Sequence, residues 1–162
     1  MDESCFHLSI PAIDLALSRH WYEQVLGCRA GRCSDEALIL DLGGHQLVLQ
    51  RHRDELEPPQ QGIYPRHFGL IFQEATPWNA LKARVEQASQ AFAVSPKVRF
   101  AGEVLEHQTF FLQDPSNNWL EFKHYRHSEA VLGCQEQRVV GDRDFRKRFL
   151  KPKRACSSRQ LW

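Results

Sequence analysis

The feature that most constrains this chain is that its order of elements runs through twice. Residues 5–12 (CFHLSIPA) read as a strand. Residues 14–26 place Leu15, Leu17, Trp21, Tyr22, Val25 and Leu26 at helical spacing, with Asp14 at the N-cap and Gly27 where a helix C-cap falls. Three short strand patterns follow at 29–34, 37–42 and 46–52, the last two joined by a Gly43-Gly44 hairpin turn. The same order then recurs. Residues 66–72 read as a strand, and 76–90 as a helix with Thr76 at the N-cap and Pro77 at the first helical position. Strands follow at 97–101, 107–113 and 119–125, with DPSNN at 114–118 turning between the last two. This pattern predicts an α+β fold of two tandem βαβββ modules, about 5–53 and 66–126, joined by a Pro-containing linker at 54–65.

A chain of 162 residues has enough surface to bury for one core and too little for two independent ones. Residues 1–128 are therefore expected to form a single domain. The rest, 129–162, reads as a basic extension: from Cys134 onward there are nine Lys/Arg against three Asp/Glu, while the preceding 133 residues carry twelve against seventeen. Basic runs with interleaved aromatics, such as DRDFRKRFLKPKR at 142–154, are found in nucleic-acid and membrane binders. Most such tails are only solvated, so no nucleic-acid partner is expected, although a short helix over 142–150 would fit. No apolar run approaches membrane-spanning length, and the acidic start, Met1-Asp2-Glu3-Ser4, has no signal pattern. Cys5, Cys28, Cys33, Cys134 and Cys156 are odd in number and scattered, as expected of free thiols in the cytoplasm.

Aligning the two halves pairs particular residues. His7 and His67 each fall in the first strand of a half. Seven residues after Asp41 comes Val48, and seven after Asp114 comes Glu121. Side chains alternate faces along a strand, so Glu121 shares its face with Trp119 and Lys123, and Leu120 and Phe122 turn to the helices. By the same rule Cys5 and Ser9 accompany His7, and Gln46, Gln50 and His52 accompany Val48. A polar strand face is wrong for a core and right for a site. Two imidazoles and one carboxylate, His7, His67 and Glu121, suit a divalent metal with open coordination positions. Taken singly, each is more often a satisfied polar residue of a strand.

Four stretches carry a family resemblance: His7-Leu8, WYEQVLG at 21–27, Arg66-His67-Phe68, and FFLQDPSNNWLEF at 110–122. Over residues 5–126 the chain resembles the vicinal oxygen chelate superfamily, which includes glyoxalase I, fosfomycin-resistance proteins, bleomycin-binding proteins and extradiol dioxygenases. The resemblance implies a partly open β-barrel with one divalent metal on His7, His67 and Glu121, a small-molecule substrate and a homodimer. Fe(II) is the metal expected; Mn(II), Zn(II) and Ni(II) also suit the ligands. Glyoxalase I enzymes use a fourth ligand where this chain has Val48, and bleomycin-binding members lack the triad.

The three-ligand pattern fits extradiol ring-cleaving dioxygenases, which carry a further His where this chain has His52, fifteen residues before His67. Their Tyr ten residues before the ligand Glu is here Phe111, and another expected His is Gly102, with His107 nearby. The reading is then an Fe(II) extradiol-like dioxygenase with His52 and His107 moving protons, Gln50 and Phe111 lining the substrate, and Lys123 holding an anionic group. The alternatives are a glyoxalase-like lyase, a fosfomycin-resistance-like transferase drawing on Lys123, Arg126 and Arg99, and a non-catalytic binding module.

Overall fold

Alternating apolar residues decide which way each strand faces. In the computed structural model, which describes residues 4–53, 60–137 and 139–141, Leu38, Leu40, Leu47, Leu49, Phe110, Leu112, Leu120 and Phe122 are all at most 1% exposed. Each such burial stabilises the fold by roughly 1.5–3 kcal/mol. Their sequence neighbours lie on the opposite face, as a period of two requires. The chain divides between Val131 and Leu132 into two units, and the strands and helices of the described residues lie in the first.

The first half contains β1 (His7–Ala12), α1 (Leu15–Trp21), a π-helical turn (Tyr22–Leu26), β2 (Arg29–Cys33), β3 (Ala37–Leu42) and β4 (His45–Arg51). The second contains β5 (Phe68–Phe72), α2 (Ala75–Gln87), β6 (Val94–Arg99), β7 (His107–Gln113) and β8 (Trp119–Tyr125). The sheet orders are β1-β4-β3-β2 and β5-β8-β7-β6. In each half the first strand runs parallel to the last and the other pairings are antiparallel. These are the two expected βαβββ modules. Their sheets are not closed onto one another as a barrel, which leaves β1 and β5 at open edges.

The register confirms the alignment read from the sequence. Val48 lies between Ser9 and Ile39, and Glu121 between Gly69 and Phe111. The connecting hairpins differ in length: residues 42–45 separate the paired Asp41 and Gln46, while 114–118 separate Gln113 and Trp119.

Asp14 caps α1 as expected, its carboxylate accepting from the Leu17 amide at 2.9 Å. Gly27 closes the π turn with a left-handed φ of 74°. Leu17, counted with the apolar stripe, is instead 54% exposed; Leu15, Ser18, Trp21, Tyr22 and Val25 form the buried face. α2 begins two residues earlier than expected. Glu74, not Thr76, is its N-cap, without a side-chain cap bond, and Pro77 falls at the third helical position. The first-turn amides have no acceptor in any case, so proline costs no hydrogen bond there. α2 ends at Gln87 rather than 90, where Ser89 turns to φ 54°. β6 starts at Val94 rather than 97, because Pro96 lies on an edge strand and withdraws no central ladder bond. β5 starts at Phe68 rather than 66, so His67 stands just ahead of it. Linker residues 54–59, Cys156 and the possible helix over 142–150 lie outside the described residues. Among the described residues no helix is long and apolar enough to cross a membrane, and Cys5, Cys28 and Cys33 are free thiols.

The halves meet through their helices and through one hairpin. Arg84 of α2 donates to the carbonyls of Glu23 and Gln24 at 3.0 Å each, capping the π turn. It fits because Gly27 has no Cβ, which would stand 3.3 Å from the guanidinium. Trp21 Nε1 donates to Gln90 Oε1 at 2.8 Å. The buried Asp114 carboxylate accepts from the Tyr22 hydroxyl at 3.0 Å, the amides of Ser116 and Asn118 at 2.8 and 2.9 Å, and Asn118 Nδ2 at 2.8 Å. Asn118 Nδ2 also donates to Pro11 O, and Ser116 Oγ accepts from the Ile13 amide, both at 3.0 Å. The 114–118 hairpin is therefore fastened to the end of β1.

Candidate metal centre

Glu121 is placed by its neighbours. Leu120 and Phe122 are drawn into the core, so the carboxylate emerges on the other face of β8. Gly69 lets β5 approach closely there, since a Cβ at that position would fall 1.7 Å from Glu121 O. The carboxylate is 6% exposed, and each of its oxygens is engaged. Oε1 accepts from the Thr109 hydroxyl at 2.8 Å. Oε2 lies 3.2 Å from His67 Nε2 and 2.9 Å from Lys123 Nζ. Burial alone would raise the Glu121 pKa, but the hydrogen bond from His67 and the charge of Lys123 outweigh it and hold the value at about 2. The same hydrogen bond raises His67 above its ordinary 6.5.

His67 is fixed from behind. Its Nδ1 lies 2.7 Å from Ile63 O, and its ring stands edge-on to Tyr64 and Phe111. An oxygen acceptor at Nδ1 demands the hydrogen there, so Nε2 is the nitrogen left to face Glu121. His7 is held in the same way, with Nδ1 2.7 Å from Gln46 Oε1. This support of the remote ring nitrogen is how metal-bound histidines are oriented, and both rings fit that role. His7 is exposed on the β1 edge, however, and among the described residues of one chain no three His, Cys, Asp or Glu side chains converge to hold a metal. One chain brings His67 and Glu121 together and leaves His7 apart.

The other residues singled out from the sequence divide between the halves. Phe111 lies directly across from Glu121 and is 1% exposed. Lys123 pairs with Glu121 itself. His107 is buried. Its Nδ1 is 2.9 Å from Leu105 O, its ring stacks on Tyr125 at 4.7 Å, and burial lowers its pKa, assisted by Lys123 and Arg99. Gln50 and His52 belong to the first half: Gln50 is exposed at the end of β4, and the His52 amide donates to Ala12 O. Arg126 pairs with Glu106. Sequence reasoning missed Thr109, although counting two residues back from Phe111 along β7 places it on the Glu121 face. It also named Gln46 only as sharing a face, not as the partner that orients His7.

Residues 5–122 match the family model described as the glyoxalase/bleomycin resistance protein/dioxygenase superfamily. The chain belongs to that superfamily. A solved glyoxalase/bleomycin resistance protein/dioxygenase from Alicyclobacillus acidocaldarius is 37% identical, covering 80% of this chain and 96% of that one at a TM-score of 0.74. Virulence protein STM3117 of Salmonella typhimurium LT2 is 27% identical over 119 residues, 74% of this chain and 82% of that protein. The fosfomycin resistance protein FosX of Listeria monocytogenes shares the fold, with a TM-score of 0.62 at 14% identity and coverage of 81% and 100%. Superfamily membership accounts for the duplicated module. It also covers enzymes of several reaction types, so the chemistry rests on this chain's own side chains.

Proposed function

We propose that this chain is a metal-dependent enzyme acting on a small molecule with two adjacent oxygens, and that its metal is shared between two copies: His67 and Glu121 from one, His7 from the other. The observation that carries the reading is the buried Glu121 carboxylate with His67 Nε2 at 3.2 Å, while His7 stands exposed on an open sheet edge with its own Nδ1 already held. Unpaired edges such as β1 and β5 are sites where strands of another chain add. Fe(II) is the metal we assign, and extradiol opening of a catechol-like ring is the reaction. The metal would supply a Lewis acid for the vicinal oxygens and a reductant for O₂.

The chain's own groups have definite tasks. His107 is kept neutral by burial and has its Nδ1 hydrogen committed to Leu105 O, so Nε2 accepts a proton from a substrate hydroxyl. Lys123 holds an anionic substrate group. Phe111 keeps water from the face beside Glu121. Gln50 and His52, from the half that carries His7, bind substrate and move a second proton. One observation favours a second reading. Phe111 offers no hydroxyl to a bound oxygen species, whereas a neutral, ring-stacked His107 suits proton transfer by a lyase or isomerase on the same site.

The test is complementation. His7→Ala and Glu121→Gln are each expected to lose most metal and activity as homodimers. Mixed with subunit exchange, they regenerate one intact site per heterodimer. Recovery on mixing supports the shared site, and no recovery, or full metal in either variant alone, sinks it. Oxygen uptake by the Fe(II)-loaded protein with a panel of catechols separates the reactions: uptake matching substrate consumed supports the dioxygenase, and none with any catechol leaves the lyase reading.

A further inference from the structure

We infer that Thr109 is a positioning residue that presents Glu121 to the metal through a single oxygen; the inference rests on the metal site proposed above. The Thr109 hydroxyl, wholly buried, donates to Oε1 at 2.8 Å, so that oxygen is committed before any ligand arrives. Oε2 alone faces His67 Nε2 and Lys123 Nζ. A carboxylate held in this way cannot swing both oxygens onto a cation without breaking a buried hydrogen bond. Only Oε2 of Glu121 would then be offered to a metal, with Oε1 kept on Thr109.

The other half supplies an internal comparison. Thr109 pairs with Lys123 across β7 and β8, and the equivalent pair across β3 and β4 is Ala37 with Gln50. Where the strand carries Val48 instead of a carboxylate, the neighbouring strand has alanine in place of the hydroxyl. The hydroxyl therefore occurs with the carboxylate, in one half only. A valine would fill the same space, so the hydroxyl acts on Glu121 and not on the packing of β7.

The experiment compares Thr109→Val, which keeps the shape and removes the hydroxyl, with Thr109→Ser, which keeps the hydroxyl. Metal affinity is read by competition with a chromophoric chelator, and ligand number by the visible absorption of the Co(II)-substituted protein. Thr109→Val should lose about 10–100-fold in affinity, as when other orienting partners of metal ligands are removed, and its Co(II) bands should weaken as a second oxygen adds to the ion. Thr109→Ser should restore both. If Thr109→Val does not fold, Thr109→Ala set against Thr109→Ser reads the same contrast. Unchanged affinity and an unchanged Co(II) spectrum in the hydroxyl-free variant overturn the inference while leaving the metal site standing. If the wild-type dimer binds no metal, or keeps it in Glu121→Gln, the site itself is wrong and this role for Thr109 goes with it.

Discussion

The two sheets share order, direction and register, yet their outer faces have little in common. At matched positions the first has Ser9, Ala37, Val48 and Gln50, and the second has Gly69, Thr109, Glu121 and Lys123. The faces turned to the helices are alike in both, leucine in the first and leucine with phenylalanine in the second. Burial holds the shared fold and is indifferent to what the opposite face carries. One half is thus free to set a buried carboxylate and its ammonium partner where the other has Val48 and Gln50; the Arg29–Asp41 pair of the first sheet is exposed and adds little stability.

Exchanging residues between the halves tests this difference most severely at Gly69. Gly69→Ser copies the first half's residue into a position where a Cβ meets the Glu121 backbone at 1.7 Å. Backbone cannot yield as a side-chain end can, so β5 should unpair from β8, at a cost above about 3 kcal/mol. Denaturant unfolding should show no stable folded state, whereas the reverse exchange, Ser9→Gly, should cost under about 1 kcal/mol. A folded Gly69→Ser protein of wild-type stability would mean that the close approach of β5 is not required.

Val48→Glu is next. It places a carboxylate at an 8% exposed position without the hydroxyl of Thr109 or the ammonium of Lys123. The metal-free variant should lose roughly 3 kcal/mol, the cost of an uncompensated buried charge. Adding Ala37→Thr should return about 1 kcal/mol by supplying one hydrogen bond. Stability unchanged by Val48→Glu would show that the first face tolerates charge as the second does.

The acid limb of stability should belong to the second sheet. Glu121 is depressed from 4.5 to about 2, so its contribution is present above its ordinary value and is lost as pH falls from 4.5 toward 2. At about 1.36 kcal/mol per pH unit this is worth roughly 3 kcal/mol. His67 is raised from 6.5, so its share is full below that value and declines as pH climbs through its elevated pKa. Metal-free Glu121→Gln should flatten both limbs in thermal unfolding across pH; limbs as steep as the wild type's would assign the dependence elsewhere.

The mildest expected change is Tyr22→Phe, which removes one of the donors to buried Asp114 between the halves. It should lower stability by about 1–2 kcal/mol without altering metal content. Loss of metal in this variant would show that the joint also sets the site.

The modules and their register were legible because a two-residue alternation and a helical period leave a strong trace, and counting from Asp41 and Asp114 brought Val48 and Glu121 into correspondence. Helix ends were less legible. Thr76 and Pro77 satisfy capping preference, but several starts within one turn satisfy it nearly as well. The proposed metal set could be argued from the sequence as chemistry and not as geometry. Whether His7 joins His67 and Glu121 depends on how two sheets meet, and strand periodicity carries no information about that. The roles of Asp114 and Arg84 were hidden for a related reason: both act on backbone far away in sequence, Asp114 through Asn118 and Ser116.

The wide turn at Tyr22–Leu26 also sets a reading frame. Successive residues of an α-helix point about 100° apart. Trp21 and Tyr22 are neighbours at the seam between the α and π segments, and each donates to a different part of the second half, Gln90 and Asp114. Beyond them the turn must still deliver Val25 to the core and the carbonyls of Glu23 and Gln24 to Arg84. Deleting one residue there would tighten the turn into α-helix and rotate everything after it out of phase with a fixed partner. Substitutions along this stretch are local injuries, whereas a one-residue deletion is a frameshift in three dimensions.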